Sequence, residues 1–287
     1  MRHKATIFAV AAAVTAGLLS GGTASATPKY RNYVALGDSY VSIASLLTVE
    51  DKVGCFRSRD NYPHVLAAKL GVARLTDVSC GSATTEHMTT PQQTPLFGTN
   101  PPQFDALNPD VDLVTLTVGG NDFGLESTFG KCGLLSATNP FGNPCQQANR
   151  NPDGSDQFLG KIEKEVAPKV AAVVRGVTER APNATVLLVG YLRLLPDTKG
   201  CWPAMPIAAG DVPYLNVVQQ RLTDALTRNT GGKVVAFDPT SLTGHDACTA
   251  PGTRWVEPVL PASPTTPVHP NVLGQRNLGE RLAAALR

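Results

Sequence analysis

Tyr33-Val34-Ala35-Leu36-Gly37-Asp38-Ser39-Tyr40 is a run of β-favouring apolar residues that stops abruptly at Gly-Asp-Ser. An apolar run without polar alternation describes a strand buried on both faces, and the small residues after it describe a sharp exit. In an open α/β sheet the carboxyl ends of the parallel strands carry the ligand site. Ser39 is therefore a candidate nucleophile at a first-strand end. Its structural alternative is the N-cap of the next helix, a common role for serine.

Further strand-like runs follow at 73–78, 111–118, 184–189 and 233–237, separated by helix-like segments at 62–70, 158–180 and 212–228. A closing amphipathic helix is expected over 272–287. This alternation predicts a parallel sheet with helices on both faces. In the longest helix Ile162, Val166, Val170, Val173, Val174 and Val177 recur at helical spacing, which describes a core face, and Pro168 should kink or interrupt it. Pro- and Gly-rich stretches at 89–109, 130–156, 196–213 and 239–270 are expected as long surface loops. No repeat or shift of composition marks a second domain, so residues 27–287 are expected to form one α/β domain.

Residues 1–26 read as a secretory signal peptide: Arg2, His3 and Lys4, an apolar run over 5–19, and Ala24-Ser25-Ala26 as a small-x-small cleavage site. A membrane anchor is the alternative, but the run falls short of the ~20 residues a span needs. Cleavage would leave 261 of the 287 residues and remove two of the 25 basic residues, so that 23 of each sign remain. A neutral surface argues against nucleic acid and anionic membrane as partners. The expected product is a monomeric extracellular protein without a stable membrane span. Cys55, Cys80, Cys132, Cys145, Cys201 and Cys248 all follow the signal, and an even number in an exported chain implies oxidised pairs. Fifteen connectivities are possible. Sequential pairing is the expectation, because each such pair brackets one loop-rich insertion. A zinc site is the competing reading. It is disfavoured by the lack of Cys-x-x-Cys and the scatter of His64, His87 and His245. No metal or other cofactor is expected.

The strand ends carry the chemistry. Strand one delivers Ser39, strand two Ser79-Cys80-Gly81-Ser82-Ala83-Thr84, and strand three Gly119-Gly120-Asn121-Asp122. Parallel strands bring these turns to one sheet edge. An acyl hydrolase needs such parts: a hydroxyl to attack a carbonyl, and N–H donors, here from Ser39, Gly81 and the Asn121 amide, to hold the oxyanion. The base must be a neutral imidazole within reach of the serine. His269, in Pro267-Val268-His269-Pro270-Asn271 ahead of the last helix, is the best-placed candidate.

Together these four pieces resemble the SGNH (GDSL) hydrolase family, in particular the secreted actinobacterial esterases and lipases, over nearly the whole chain from Tyr33 onward. The resemblance implies a flavodoxin-like sheet, three disulfides, Ser39 as nucleophile, Gly81 and Asn121 as oxyanion residues, and His269 as base. It also implies an ester or acyl-lipid substrate. Lipase, phospholipase and acetyl-carbohydrate esterase remain open, with a catalytically silent extracellular binding protein as the alternative from another class. Two departures stand out. Thr266 occupies the position, three residues before the histidine, where the family often carries Asp. A Ser-His dyad is therefore expected, with a backbone carbonyl, that of Thr266, orienting the imidazole, and Asp238 or Asp246 as alternatives. Val41-Ser42-Ile43-Ala44 replaces a Ser- and Gly-rich turn, which should narrow the mouth of the site or make it more apolar. Leu46, Leu47, Leu134 and Leu135 are candidates for an acyl groove or for buried packing.

Overall fold

Val34, Ala35 and Leu36 are buried on both faces of the sheet, as their lack of alternation requires. In this computed structural model, which describes residues 28–51, 53–94 and 97–287, they belong to β1 (Asn32–Gly37). The expected signal peptide lies outside the described residues. The other sheet strands are β2 (Arg74–Asp77), β3 (Leu113–Thr117), β4 (Thr185–Val189) and β5 (Val234–Phe237). All neighbours pair in parallel, in the spatial order β2-β1-β3-β4-β5. The order reverses between β1 and β3, and the crevice at such a switch point is where open α/β sheets bind ligands.

Helices cover both faces of this flavodoxin-like sheet. α1 (Ser39–Ser42) is a single turn after β1, and α2 (Tyr62–Leu70) leads to β2. α3 (Gly120–Phe123) and α4 (Leu125–Ser136) follow β3. α5 (Pro144–Ala148), α6 (Gln157–Lys161) and α7 (Ala167–Arg180) fill the connection to β4, α8 (Val212–Thr227) precedes β5, and α9 (Val272–Leu286) closes the chain. α2 packs against α9, and α7 against α8. The first pair lies so close that a Cβ at Gly279 would stand 2.7 Å from the Val65 Cβ. The buried Gln275 of α9 accepts from the Tyr62 amide and donates to the Tyr40 and Ile43 carbonyls, which ties α9 to both α1 and α2.

The long helix expected over 158–180 is interrupted. Ile162–Val166 forms a π-helical stretch between α6 and α7. Pro168 has no N–H to offer the carbonyl four residues back, so the chain widens there to bonds spanning five residues, of which Ala167 N–H to Ile162 O is one. A second difference lies at 130–156, expected as loop. α4 runs into this segment through Gly130 and Gly133, and buries only Thr128, Cys132 and Ser136, too few residues to write an apolar stripe. The loop at 89–109 likewise contains a two-stranded ribbon, Gln92–Thr94 with Gly98–Asn100. The cysteines join in sequence order, Cys55–Cys80, Cys132–Cys145 and Cys201–Cys248.

Candidate active site

β1 ends at Gly37 with φ +150°, where a Cβ would clash with Val41 Cγ2 and stand 2.5 Å from the Thr117 carbonyl, so only glycine fits the turn. Gln103 clamps that glycine through both its N–H and its carbonyl. The cap of α1 is then Asp38, whose Oδ1 accepts the Tyr40 N–H at 3.0 Å. Ser39 is thus the first helical residue and not its cap. Its hydroxyl is left to meet the His269 Nε2 at 2.8 Å.

His269 is half-buried. Burial holds its imidazole below the usual 6.5, against the opposing pull of its backbone acceptor and of the Glu126 carboxylate. The acceptor differs from the expected one: Nδ1 lies 2.7 Å from the carbonyl of Pro267, two residues back, not that of Thr266. The cause is Val268, which takes φ +62°. A β-branched residue there costs about 1–3 kcal/mol and folds the chain back on itself. Tyr40 holds the turn by donating its hydroxyl to the Val268 carbonyl at 2.7 Å. Neither alternative acid faces the histidine. Asp238 accepts from the Thr240 amide and hydroxyl, and Asp246 from the Cys248 amide. Glu257, buried and paired with Arg254 at 2.8 Å, braces the loop instead, since its N–H donates to the His269 carbonyl and its carboxylate accepts from Asn271. The other described histidines are engaged elsewhere: His64 with Asn61, His87 with Thr84, and His245 stacked on Trp255.

The turns after β2 and β3 meet beside Ser39, with one change of residue. The Gly81 N–H donates to the Cys55 carbonyl at 2.9 Å, so it is spent and is not a free oxyanion donor. The next residue, Ser82, sits at φ +63° and opens onto the cleft, and its N–H has no partner among the described residues. The free N–H at this turn therefore belongs to Ser82 and not to the glycine beside it, a difference set by a backbone angle that a serine does not mark in sequence. Asn121 donates from Nδ2 to the Ala83 carbonyl at 2.9 Å. That bond fixes the amide and leaves its second N–H for a ligand. Asp122 accepts from the Thr85 N–H and hydroxyl, which locks the two turns together.

Comparison with known proteins identifies the family. The profile described as "GDSL-like Lipase/Acylhydrolase family" matches residues 35–276. Lipase 2 of Streptomyces coelicolor is 42% identical over 289 residues, covering 96% of this chain and 92% of the relative. The chain belongs to the GDSL-like lipase/acylhydrolase family. As such it is a carboxylic ester hydrolase. Its fold is shared with phospholipase A1 from Streptomyces albidoflavus (24% identity, TM-score 0.70, 90% of this chain and 99% of the other). It is shared equally with an extracellular lipase from Streptomyces rimosus (23% identity, TM-score 0.70, 89% and 99%).

In this hydrolase Ser39 and His269 stand in a cleft of about 920 Å³. Phe56 and Phe97, edge to face at 6.3 Å, form part of its wall, and Leu134, Trp202 and Met205 line it as well. Leu134 is 79% exposed and Phe97 56%, an unusual cost in apolar surface unless a ligand covers it. Leu46, Leu47 and Leu135 are neither in the cleft nor buried. Of Val41-Ser42-Ile43-Ala44, Ile43 lines the cleft beside Tyr40, while Val41, Ser42 and Ala44 are buried away from it. Among the described residues no helix is long and apolar enough to cross a membrane.

Proposed function

We propose that residues 27–287 form a single exported serine hydrolase domain that cleaves carboxylic esters of apolar acyl chains through an acyl-enzyme on Ser39. The observation that carries this reading is the 2.8 Å contact of Ser39 Oγ with His269 Nε2 in an apolar cleft. Ser39 Oγ adds to the ester carbonyl while His269 Nε2 takes its proton. The N–H groups of Ser39 and Ser82 and the Asn121 amide receive the negative charge that develops on the carbonyl oxygen. Collapse of the tetrahedral adduct expels the alkoxide, which takes the proton back from His269. Water, deprotonated by the same imidazole, then adds to the acyl-enzyme, and collapse of the second adduct breaks the acyl–Oγ bond, releases the acid and returns the proton from His269 to Ser39 Oγ. Pro267 O, as acceptor of the Nδ1 proton, keeps the tautomer that leaves Nε2 basic.

An apolar cleft of this size favours a lipid-like acyl group over an acetyl group on a sugar. The names of the relatives, lipase and phospholipase A1, point the same way. Export is supported by the basic and apolar pattern of residues 1–26 and by the three disulfides. The test is a panel of p-nitrophenyl esters of rising chain length, run beside Ser39→Ala. Rates that rise from acetyl to longer chains and vanish in Ser39→Ala are expected. A preference for acetate would overturn the substrate reading, and equal rates for the two proteins would overturn the mechanism.

A further inference from the structure

Tyr191 follows β4 and is buried at the centre of the site, and the mechanism above does not use it. Its hydroxyl accepts the Gly120 N–H at 2.7 Å and donates to Asp38 Oδ2 at 2.6 Å. One oxygen therefore joins two turns: the one after β1 that presents Ser39, and the one after β3 that presents Asn121. Gly120 closes against it so tightly that a Cβ there would lie 2.9 Å from the Tyr191 hydroxyl. The ring also meets Tyr40 edge to face at 5.1 Å, and Tyr40 in turn lies 5.2 Å from the His269 ring. The buried phenol thus bonds the residues next to the nucleophile and the oxyanion donor, and reaches the base only through the Tyr40 ring.

We propose that Tyr191 is a positioning residue, whose hydroxyl sets the separation between the Ser39 nucleophile and the Asn121 oxyanion donor by bridging Asp38 and Gly120. This rests on Ser39 and Asn121 acting as described under the proposed function. The bridge has a direction. An ionised Asp38 accepts from both Tyr191 and the Tyr40 amide, leaving the phenol oxygen for Gly120. A protonated Asp38 carries its O–H either on Oδ2, facing the phenol, or on Oδ1, facing the Tyr40 N–H, and in either case one of the two bonds is set against a second donor. The groups facing Asp38 are Tyr40 of α1, Tyr62 of α2, Asp122 of α3 and Tyr191. Burial first, opposed by the bonds from Tyr191 and Tyr40 and reinforced by Asp122, pushes the Asp38 carboxyl up to about 7. The bridge is accordingly complete above neutrality and loosens below it.

The experiment measures kcat and KM for a soluble p-nitrophenyl ester between pH 5 and pH 9, in the parent, Tyr191→Phe, Asp38→Asn and Ser39→Ala. A misplacement of about 1 Å in such a site costs up to ~100-fold. The expected result for Tyr191→Phe is a fall in kcat of about 10- to 100-fold with KM nearly unchanged. The parent profile should descend in two acid-side steps, the upper near neutrality and the lower where His269 protonates. Both variants should lose the upper step and keep the lower. Parental kcat in Tyr191→Phe, or a profile that keeps both steps, overturns the proposal. Asp38→Asn decides the matter on the same criterion if Tyr191→Phe fails to fold. Parental rates in Ser39→Ala would instead overturn the mechanism on which the proposal rests.

Discussion

At Ser39 the outcome depends on which hydrogen bonds the neighbouring groups have already spent. Asn121 commits one N–H to the Ala83 carbonyl and keeps the other, so Asn121→Ala should lower kcat by about 100- to 1000-fold, roughly 3–4 kcal/mol, with KM little changed. Steady-state kinetics with a thermal melt as control checks this. His269 is oriented by the Pro267 carbonyl, which no side-chain substitution removes. Thr266→Ala, Asp238→Asn and Asp246→Asn should therefore each retain most of the parental kcat/KM, and a large loss in either Asp variant would restore a third catalytic member. Burial lowers the imidazole, and the neutral form is the active one, so the last acid-side loss of activity should fall below pH 6.5. Of the groups proposed to act, Ser39, Asn121 and His269 were legible because their chemistry resides in side chains and their neighbours in sequence are distinctive. Ser82 and Pro267 were not, since each contributes a backbone atom whose direction depends on a φ value, +63° at Ser82 and +62° at Val268 beside Pro267.

The element that delivers the base is the loop before α9, and its brace is the buried Arg254–Glu257 pair. Burial alone would raise the Glu257 carboxyl, but bonds from Ser263, Asn271, the Ala262 amide and Arg254 outweigh it and hold the group at about 2, below its ordinary 4.5. The folded state thus binds the proton less readily than the unfolded one. The stability this group contributes is present above about pH 4.5 and is lost as pH falls toward 2. Glu257→Gln, which leaves Arg254 buried without its counter-charge, should destabilise by about 3–5 kcal/mol in urea unfolding at neutral pH and flatten the acid loss. Among the elements, the central strands were the most legible, because apolar β-branched and Leu-rich runs without polar alternation describe strands buried in a parallel sheet. α4 was hidden by two glycines and by a face that borders the cleft instead of the core. The interruption before α7 was legible in Pro168, although its form as a π-helical stretch was not.

On the scale of the whole molecule, the β2-β1-β3-β4-β5 order gathers the ends of β1, β2 and β3 at one edge, and three disulfides cross-link segments outside the strands. The Cys201–Cys248 bridge closes the longest loop, with 47 residues of separation, against 13 for Cys132–Cys145. By loop-closure entropy its loss should cost more, so Cys201→Ser with Cys248→Ser should lower stability by about 4 kcal/mol and the Cys132, Cys145 pair by about 3 kcal/mol. Denaturant titration of the two double variants checks the order. The flavodoxin-like sheet order is what the family resemblance implies, and the sequential disulfides agree with the expectation that each pair brackets one loop-rich insertion. The cleft was not legible in the sequence, because Phe56, Phe97 and Trp202 come from separate loops and Leu134 from α4, and such scattered apolar residues read equally well as packing. The most direct measurement is to treat the intact protein with a p-nitrophenyl alkylphosphonate, weigh the whole chain, and map the adduct by peptide mass. One phosphonyl group per chain, on Ser39, with activity lost in proportion, is the expected result; an adduct on another residue, or full activity with Ser39 phosphonylated, would contradict Ser39 as the nucleophile.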